Sequence, residues 1–150
     1  MGDDDSRCLL HVEDDPNDAL FIRRGFDKAG IGDRVRLMRD GEEAVAYLVG
    51  EGSYQDRVRH PLPALLVLDL KVPKKSGLEV LRWLRSDPRF KDLPVIILTS
   101  SKEPGDMAQA RELGIVVYHV KPVDLIALTE IVKSIGRFWI TLAGRARVGG

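Results

Sequence analysis

Short apolar runs alternate along this chain with longer stretches in which apolar residues recur at three- and four-residue steps, the patterns of strands and amphipathic helices respectively. Cys8-Leu9-Leu10-His11-Val12 is an apolar run that stops abruptly at Glu13-Asp14-Asp15. Asp15-Pro16-Asn17-Asp18 then reads as a helix start, with an N-cap acid, proline at the first helical position and an acid in the first turn. Leu20, Phe21 and Phe26 suit one face of that helix. Arg34 to Met38 predicts a second strand, and Asp40-Gly41-Glu42-Glu43 resembles a capping box opening a helix through about Val49. Residues 51–63 form a polar loop with two prolines. Ala64-Leu65-Leu66-Val67-Leu68 comes next, a continuous run that suits a strand covered on both faces, and it ends at Asp69. Ser76-Gly77-Leu78-Glu79 is another capping box, leading a helix to about Ser86. Pro94 to Leu98 predicts a fourth strand ending at Thr99-Ser100, and a helix from about Pro104 stops at the C′ glycine Gly114. Val116 to Val120 is the fifth strand, followed by Lys121-Pro122, and Asp124 caps a last helix running to about Leu142.

Five strands and five helices in strict alternation predict a doubly wound α/β fold around a five-stranded, mostly parallel sheet with right-handed crossovers. At 150 residues and 44% hydrophobic, the chain is expected to make one domain, with a core over about 7–136 and an extended C-terminal helix to about 143. The 23 acidic and 23 basic residues cancel, which argues against a nucleic-acid binder. Asp3-Asp4-Asp5 reads as a short solvated tail. A lone cysteine, Cys8, excludes a disulfide within the chain and fits a reducing cytoplasm. No run approaches the roughly 18 apolar residues of a membrane span, and the N-terminus has no signal-peptide pattern.

Four of the five strands end in residues with chemical potential: Glu13-Asp14, Asp69, Thr99 and Lys121. In an open α/β sheet the ligand crevice lies at that carboxyl edge, so these scattered residues are expected to converge. Three clustered carboxylates would resist full ionisation unless a cation joins them. Mg²⁺ suits such oxygen ligands. The charges of Glu13, Asp14, Asp69, Lys121 and one Mg²⁺ would sum to zero. His11, His60 and His119 lack metal-ligand spacing and read as structural. No phosphate-binding P-loop is present, and Gly30-Ile31-Gly32 reads as a turn rather than a dinucleotide fingerprint.

The set Val12-Glu13-Asp14-Asp15-Pro16, Leu68-Asp69-Leu70 with Pro73 and Gly77, Leu98-Thr99-Ser100, and Tyr118-His119-Val120-Lys121-Pro122 resembles the receiver domains of two-component response regulators, over residues 7 to about 136. The resemblance implies a flavodoxin-like sheet of order 2-1-3-4-5. It makes Asp69 the acceptor of a phosphoryl group from a sensor histidine kinase, and the protein a switch rather than an enzyme. It assigns Glu13, Asp14, Asp69 and the backbone carbonyl of Lys71 to Mg²⁺, with Asp14 a direct ligand. Thr99 becomes the switch hydroxyl, with Ser100 beside it in the phosphoryl-binding set, Tyr118 the switch aromatic that turns inward as Thr99 moves, and Lys121 the family lysine. Lys71 stands where asparagine is common, and its side chain is expected to point to solvent. Thr99 and Lys121 are expected at a solvent-reachable crevice, where their removal would affect switching more than stability.

The rival enzyme reading is an aspartate-nucleophile phosphatase of haloacid-dehalogenase type. That chemistry needs a second aspartate two residues after the first, where this chain has Lys71. The loop 51–63 and Arg137-Phe138-Trp139-Ile140 resemble regulators paired with bacterial and cyanobacterial phytochromes, implying a phytochrome kinase partner and a homodimer. Leu125, Leu128, Val132, Ile135, Trp139 and Leu142 form an apolar stripe longer than a flanking helix needs, so Phe138 and Trp139 are expected in the dimer interface. The alternative is that both fold back onto the sheet edge or the first helix. The few residues after about 143 cannot house a DNA-binding domain, so output is expected through protein contact or phosphotransfer.

Overall fold

All five apolar runs form strands. The computed structural model describes residues 7–149, so Asp3-Asp4-Asp5 lies outside the described residues. In chain order the elements are β1 (Cys8–Val12), α1 (Pro16–Lys28), β2 (Val35–Met38), α2 (Gly41–Val49), β3 (Pro63–Leu68), α3 (Gly77–Ser86), β4 (Val95–Thr99), α4 (Pro104–Glu112), β5 (Val117–Val120) and α5 (Leu125–Gly149). The sheet has the expected order β2-β1-β3-β4-β5, and every neighbouring pair is parallel.

Local chemistry sets most boundaries. The Asp15 carboxylate accepts from the N–H groups of Asn17 and Asp18 at the start of α1. Ser76 and Glu79 form the reciprocal capping box of α3. At α2 only half the expected box forms. Asp40 accepts from the Glu43 N–H at 2.7 Å, but the Glu43 carboxylate turns back to the Arg39 N–H at 2.9 Å and takes the Tyr54 hydroxyl at 2.8 Å. Pro63 opens β3 rather than closing the loop, a first-strand position where its missing N–H is tolerated. Arg34 falls in a 3₁₀ turn before β2. The loop 51–63 is pinned: the Arg57 guanidinium donates to the carbonyls of Tyr47, Leu48 and His60, and the buried Tyr47 hydroxyl donates to the Pro61 carbonyl at 2.7 Å.

Because side chains alternate along a strand, the sheet sorts its apolar residues onto two faces. Leu10, Val12, Leu66, Leu68 and Ile97 pack with Ala44, Tyr47, Leu48, Val80 and Leu84 of α2 and α3. Leu9, Leu65, Val67, Ile96 and Leu98 pack with Ile22 and Phe26 of α1 and with Leu128, Val132, Ile135 and Trp139 of α5. Coverage on both faces explains the unbroken apolar run of β3. Helices α1 and α5 approach closely at Gly25, where a Cβ would sit 2.7 Å from Val132 Cγ1. His11 is buried edge-on to Phe26. Burial, and then the Lys121 charge, push its pKa down to about 3, so it is neutral at pH 7.

The last helix runs past the predicted Leu142, since nothing in the Ala143-Gly144-Arg145 segment forces a stop. Its aromatic residues correct the interface expectation. Trp139 is 5% exposed, its indole N–H donates to the Cys8 carbonyl at 3.0 Å, and the Arg34 guanidinium lies 5.3 Å from its ring. Phe138 is half-buried against the same cluster. Both rings fold back onto the chain's own core because that core offers apolar area and, for the indole, an acceptor. Trp139→Ala should therefore cost about 3–5 kcal/mol of stability. Urea melts measure this; a midpoint unchanged from wild type would refute the packing role.

Candidate functional site

The hydrogen-bond ladder of the sheet continues past the strand ends and fixes the residues just beyond them. The Glu13 N–H donates to the Met38 carbonyl (2.9 Å), the Asp69 N–H to the Val12 carbonyl (3.1 Å) and the Lys121 N–H to the Thr99 carbonyl (2.7 Å). Gly77 lets α3 begin directly against the Asp69 backbone: a Cβ there would lie 2.4 Å from the Asp69 carbonyl oxygen. The loop between β3 and α3 makes its turn at Lys74, whose φ of 70° is the left-handed conformation that side chains usually avoid.

Asp69 sits at the centre and is 4% exposed. Its Oδ1 accepts from the Thr99 hydroxyl at 2.6 Å and from the Lys71 N–H at 3.0 Å, and its Oδ2 from the Lys121 ammonium at 2.8 Å. Burial alone would raise its pKa, but those three donors outweigh it and hold the carboxyl below its ordinary value. Lys121 also lies 2.6 Å from Glu13 Oε1 and 2.8 Å from Asp18 Oδ2. Burial pulls its pKa down, yet the hydrogen bonds to Asp18 and Asp69 and the adjacent Glu13 carboxylate prevail and keep the ammonium charged well above neutral pH. Glu13 is pushed up to about 7, by burial first and also by the neighbouring Asp69 charge.

The expected convergence therefore holds for Glu13, Asp69, Thr99 and Lys121. Two expectations change. Asp14 is exposed, and the third carboxylate on Lys121 is Asp18, which the sequence offered only as a first-turn acid. Thr99 is fully buried and the Lys121 side chain is 8% exposed, so neither lies at an open crevice. The Lys71 side chain is exposed, as expected, and its ammonium pairs with Asp106 Oδ2 at 3.2 Å.

Ser100 is exposed, whereas Ser101, for which the sequence suggested no role, is buried. Ser101 donates its hydroxyl to Asp106 at 2.6 Å, and its carbonyl accepts from the Tyr118 hydroxyl at 2.9 Å. Period-two alternation from the inward-facing Thr99 is the signal that could have found Ser101. Tyr118 is half-buried and packs on the core.

Among the described residues, no three acidic, His or Cys side chains already converge on one point fit for a metal ion. The ammonium of Lys121 bridges Glu13 and Asp69. The donor chemistry nonetheless fits a hard divalent cation. Glu13 Oε1 is buried and, although close to Lys121, lies off any hydrogen-bond direction, so it lacks a donor. With the Asp69 carboxylate beside it, this offers the hard oxygen donors that a divalent cation prefers.

Comparison with known proteins agrees with this geometry. Residues 9–133 match the family described as the response regulator receiver domain. Response regulator Rcp1 of Synechocystis sp. is 34% identical over 134 residues, covering 89% of each chain. The phosphorylated cyanobacterial phytochrome response regulator RcpA superposes with a TM-score of 0.82 at 36% identity, covering 89% of this chain and 94% of that one. The Mn²⁺-bound form of Rcp1 superposes with a TM-score of 0.80 at 34% identity, with the same coverage.

Proposed function

The chain belongs to the response regulator receiver family, and from that premise we propose that Asp69 accepts a phosphoryl group from a sensor histidine kinase and that the phosphorylated site switches protein contacts. The observation that carries the reading is the Asp69 carboxylate itself. It is kept ionised in a nearly dry site, with a hydroxyl, an amide and an ammonium around it.

An Asp69 oxygen attacks the phosphorus of a phosphohistidine. The P–N bond breaks, and its electron pair stays on the imidazole nitrogen as the P–O bond forms. Lys121 stands where it offsets charge on the transferring oxygens, and the Thr99 hydroxyl can exchange its bond to Asp69 for one to a phosphoryl oxygen. Ser100, exposed beside Thr99, can offer its N–H to the same group. A bound Mg²⁺, held by Glu13, Asp14, Asp69 and the Lys71 carbonyl, would supply further positive charge against those oxygens. The haloacid-dehalogenase alternative fails on chemistry, because the Lys71 ammonium next to Asp106 cannot serve as its carboxylic acid.

The names of the relatives point to a phytochrome-type kinase as the partner, acting in the cytoplasm. No helix among the described residues is long and apolar enough to cross a membrane. A groove between α1 and α5 sets Phe21, Leu125 and Ile126 among the charged Arg24, Lys28, Glu130 and Lys133, and we assign that mixed apolar and charged surface to kinase docking. We propose that a homodimer would form through α4 and the edge strand β5, a reading supported by α4 burying only Ala110 and by the half-buried β5. This replaces an interface through Trp139. Incubation with Mg²⁺ and a small phosphodonor should give one hydroxylamine-sensitive acyl phosphate per chain. Turnover of phosphate esters, or no acyl phosphate, would refute the reading.

The metal assignment has its own check. Calorimetric Mg²⁺ titration should show a single site, and Asp14→Asn should weaken it by more than the ~10-fold typical of losing a partner of a metal ligand. Equal affinity in wild type and variant would remove Asp14 from the ligand set.

A further inference from the structure

A closed ring of contacts surrounds the Asp69 carboxylate. The Lys71 N–H donates to Asp69 Oδ1 at 3.0 Å, and the Lys71 ammonium reaches across to Asp106 Oδ2 at 3.2 Å. That same Asp106 oxygen accepts the Ser101 hydroxyl at 2.6 Å. The Ser101 N–H points back to Thr99 Oγ1 at 3.4 Å, and Thr99 donates to Asp69 Oδ1 at 2.6 Å. Tyr118 hangs from this ring through its bond to the Ser101 carbonyl. The two cations near Asp69 are not equivalent. Lys121 is buried and shared by three carboxylates, whereas the Lys71 side chain is 58% exposed and has one partner.

We propose that the Lys71–Asp106 pair is a latch between the β3–α3 loop and α4, released when a phosphoryl group on Asp69 draws Lys71 away, and that Asp106 is the positioning residue relaying this change through Ser101 to Tyr118. The latch rests on the phosphoacceptor reading. Phosphorylation replaces a carboxylate of charge −1 by an acyl phosphate of about −2 with three strong acceptor oxygens. Lys121 already has its partners, so the added charge falls to the cation that moves most cheaply. Lys71 is tethered next to Asp69 by its own backbone and held by a partly exposed ion pair. Asp106, once released, lies in the first turn of α4, where the helix N-terminus favours its charge. Its bond to Ser101 can then re-form without Lys71, which shifts the carbonyl that Tyr118 holds.

The test uses the full chain with Mg²⁺ and beryllofluoride as the phosphoryl mimic. Asp106→Asn keeps an acceptor for Ser101 but removes the charge on Lys71. It should tighten beryllofluoride binding about three- to fivefold, the scale of a partly exposed ion pair. In unliganded Asp106→Asn, the NMR signals of Ser101 and Tyr118 should move toward their positions in the mimic-bound wild type. In a Lys71→Ala background, Asp106→Asn should no longer change beryllofluoride affinity, which a merely structural role for Asp106 would not reproduce. An Asp106→Asn effect that persists without Lys71, or unchanged affinity in the single variant, overturns the latch while leaving the acceptor assignment standing. A wild type that binds no beryllofluoride overturns both.

Discussion

Asp69→Asn is expected to abolish acyl phosphate formation, a loss on the order of 10⁴-fold or more, the scale on which removing a catalytic nucleophile acts. An amide oxygen is neutral and cannot replace the carboxylate as attacking group. No neighbour can take over: Glu13 is buried against Lys121 with its pKa pushed up to about 7, and Asp18 is held by the same ammonium. The variant should fold, because the asparagine oxygen can still accept from Thr99 and the Lys71 N–H, as Asp69 Oδ1 does. Its substitution also lowers the negative charge gathered around Lys121. Phosphate-affinity electrophoresis after treatment with a small phosphodonor reads the result directly. Stoichiometric phosphorylation that survives in a folded Asp69→Asn protein would refute the site.

Lys121→Ala is expected to cost about 3–5 kcal/mol of stability, the usual penalty for stranding buried charges. For a domain of this size that corresponds to a melting temperature lower by roughly 10 °C. The ammonium is 8% exposed and meets Glu13, Asp18 and Asp69 within 2.6–2.8 Å. Without it these three carboxylates face one another with no cation between them. Mg²⁺ should recover a substantial part of the loss, because it suits the same oxygens, and it should stabilise the variant more than the wild type. Thermal melts with and without Mg²⁺ measure both effects. A variant that melts with the wild type would show that the buried cluster has another source of compensation. The sequence suggested a lysine at an open crevice, important more for switching than for stability; its burial is what gives it a large structural role as well.

The order of elements was legible from the chain because it depends on local patterns. Runs such as Leu65-Leu66-Val67-Leu68 and helix starts such as Asp15-Pro16 and Ser76-Gly77 carry their own signals. Alternation of strand and helix then implied a parallel sheet, and the sheet implied that residues ending its strands share an edge. Glu13, Asp69, Thr99 and Lys121 were therefore predictable as neighbours although more than a hundred positions separate the first from the last. Periodicity says which face is apolar and where a strand stops, but not which of several polar groups a side chain selects. Asp18 over Asp14 on Lys121, Ser101 rather than Ser100 under the Tyr118 hydroxyl, and Asp106 as the partner of the exposed Lys71 were settled by rotamers and distances between elements. Trp139 is the same case among apolar residues. Its stripe was visible along α5, but only the placement of that helix against β1, with the Cys8 carbonyl within 3.0 Å and Arg34 over the ring, decided that the indole completes its own chain's core.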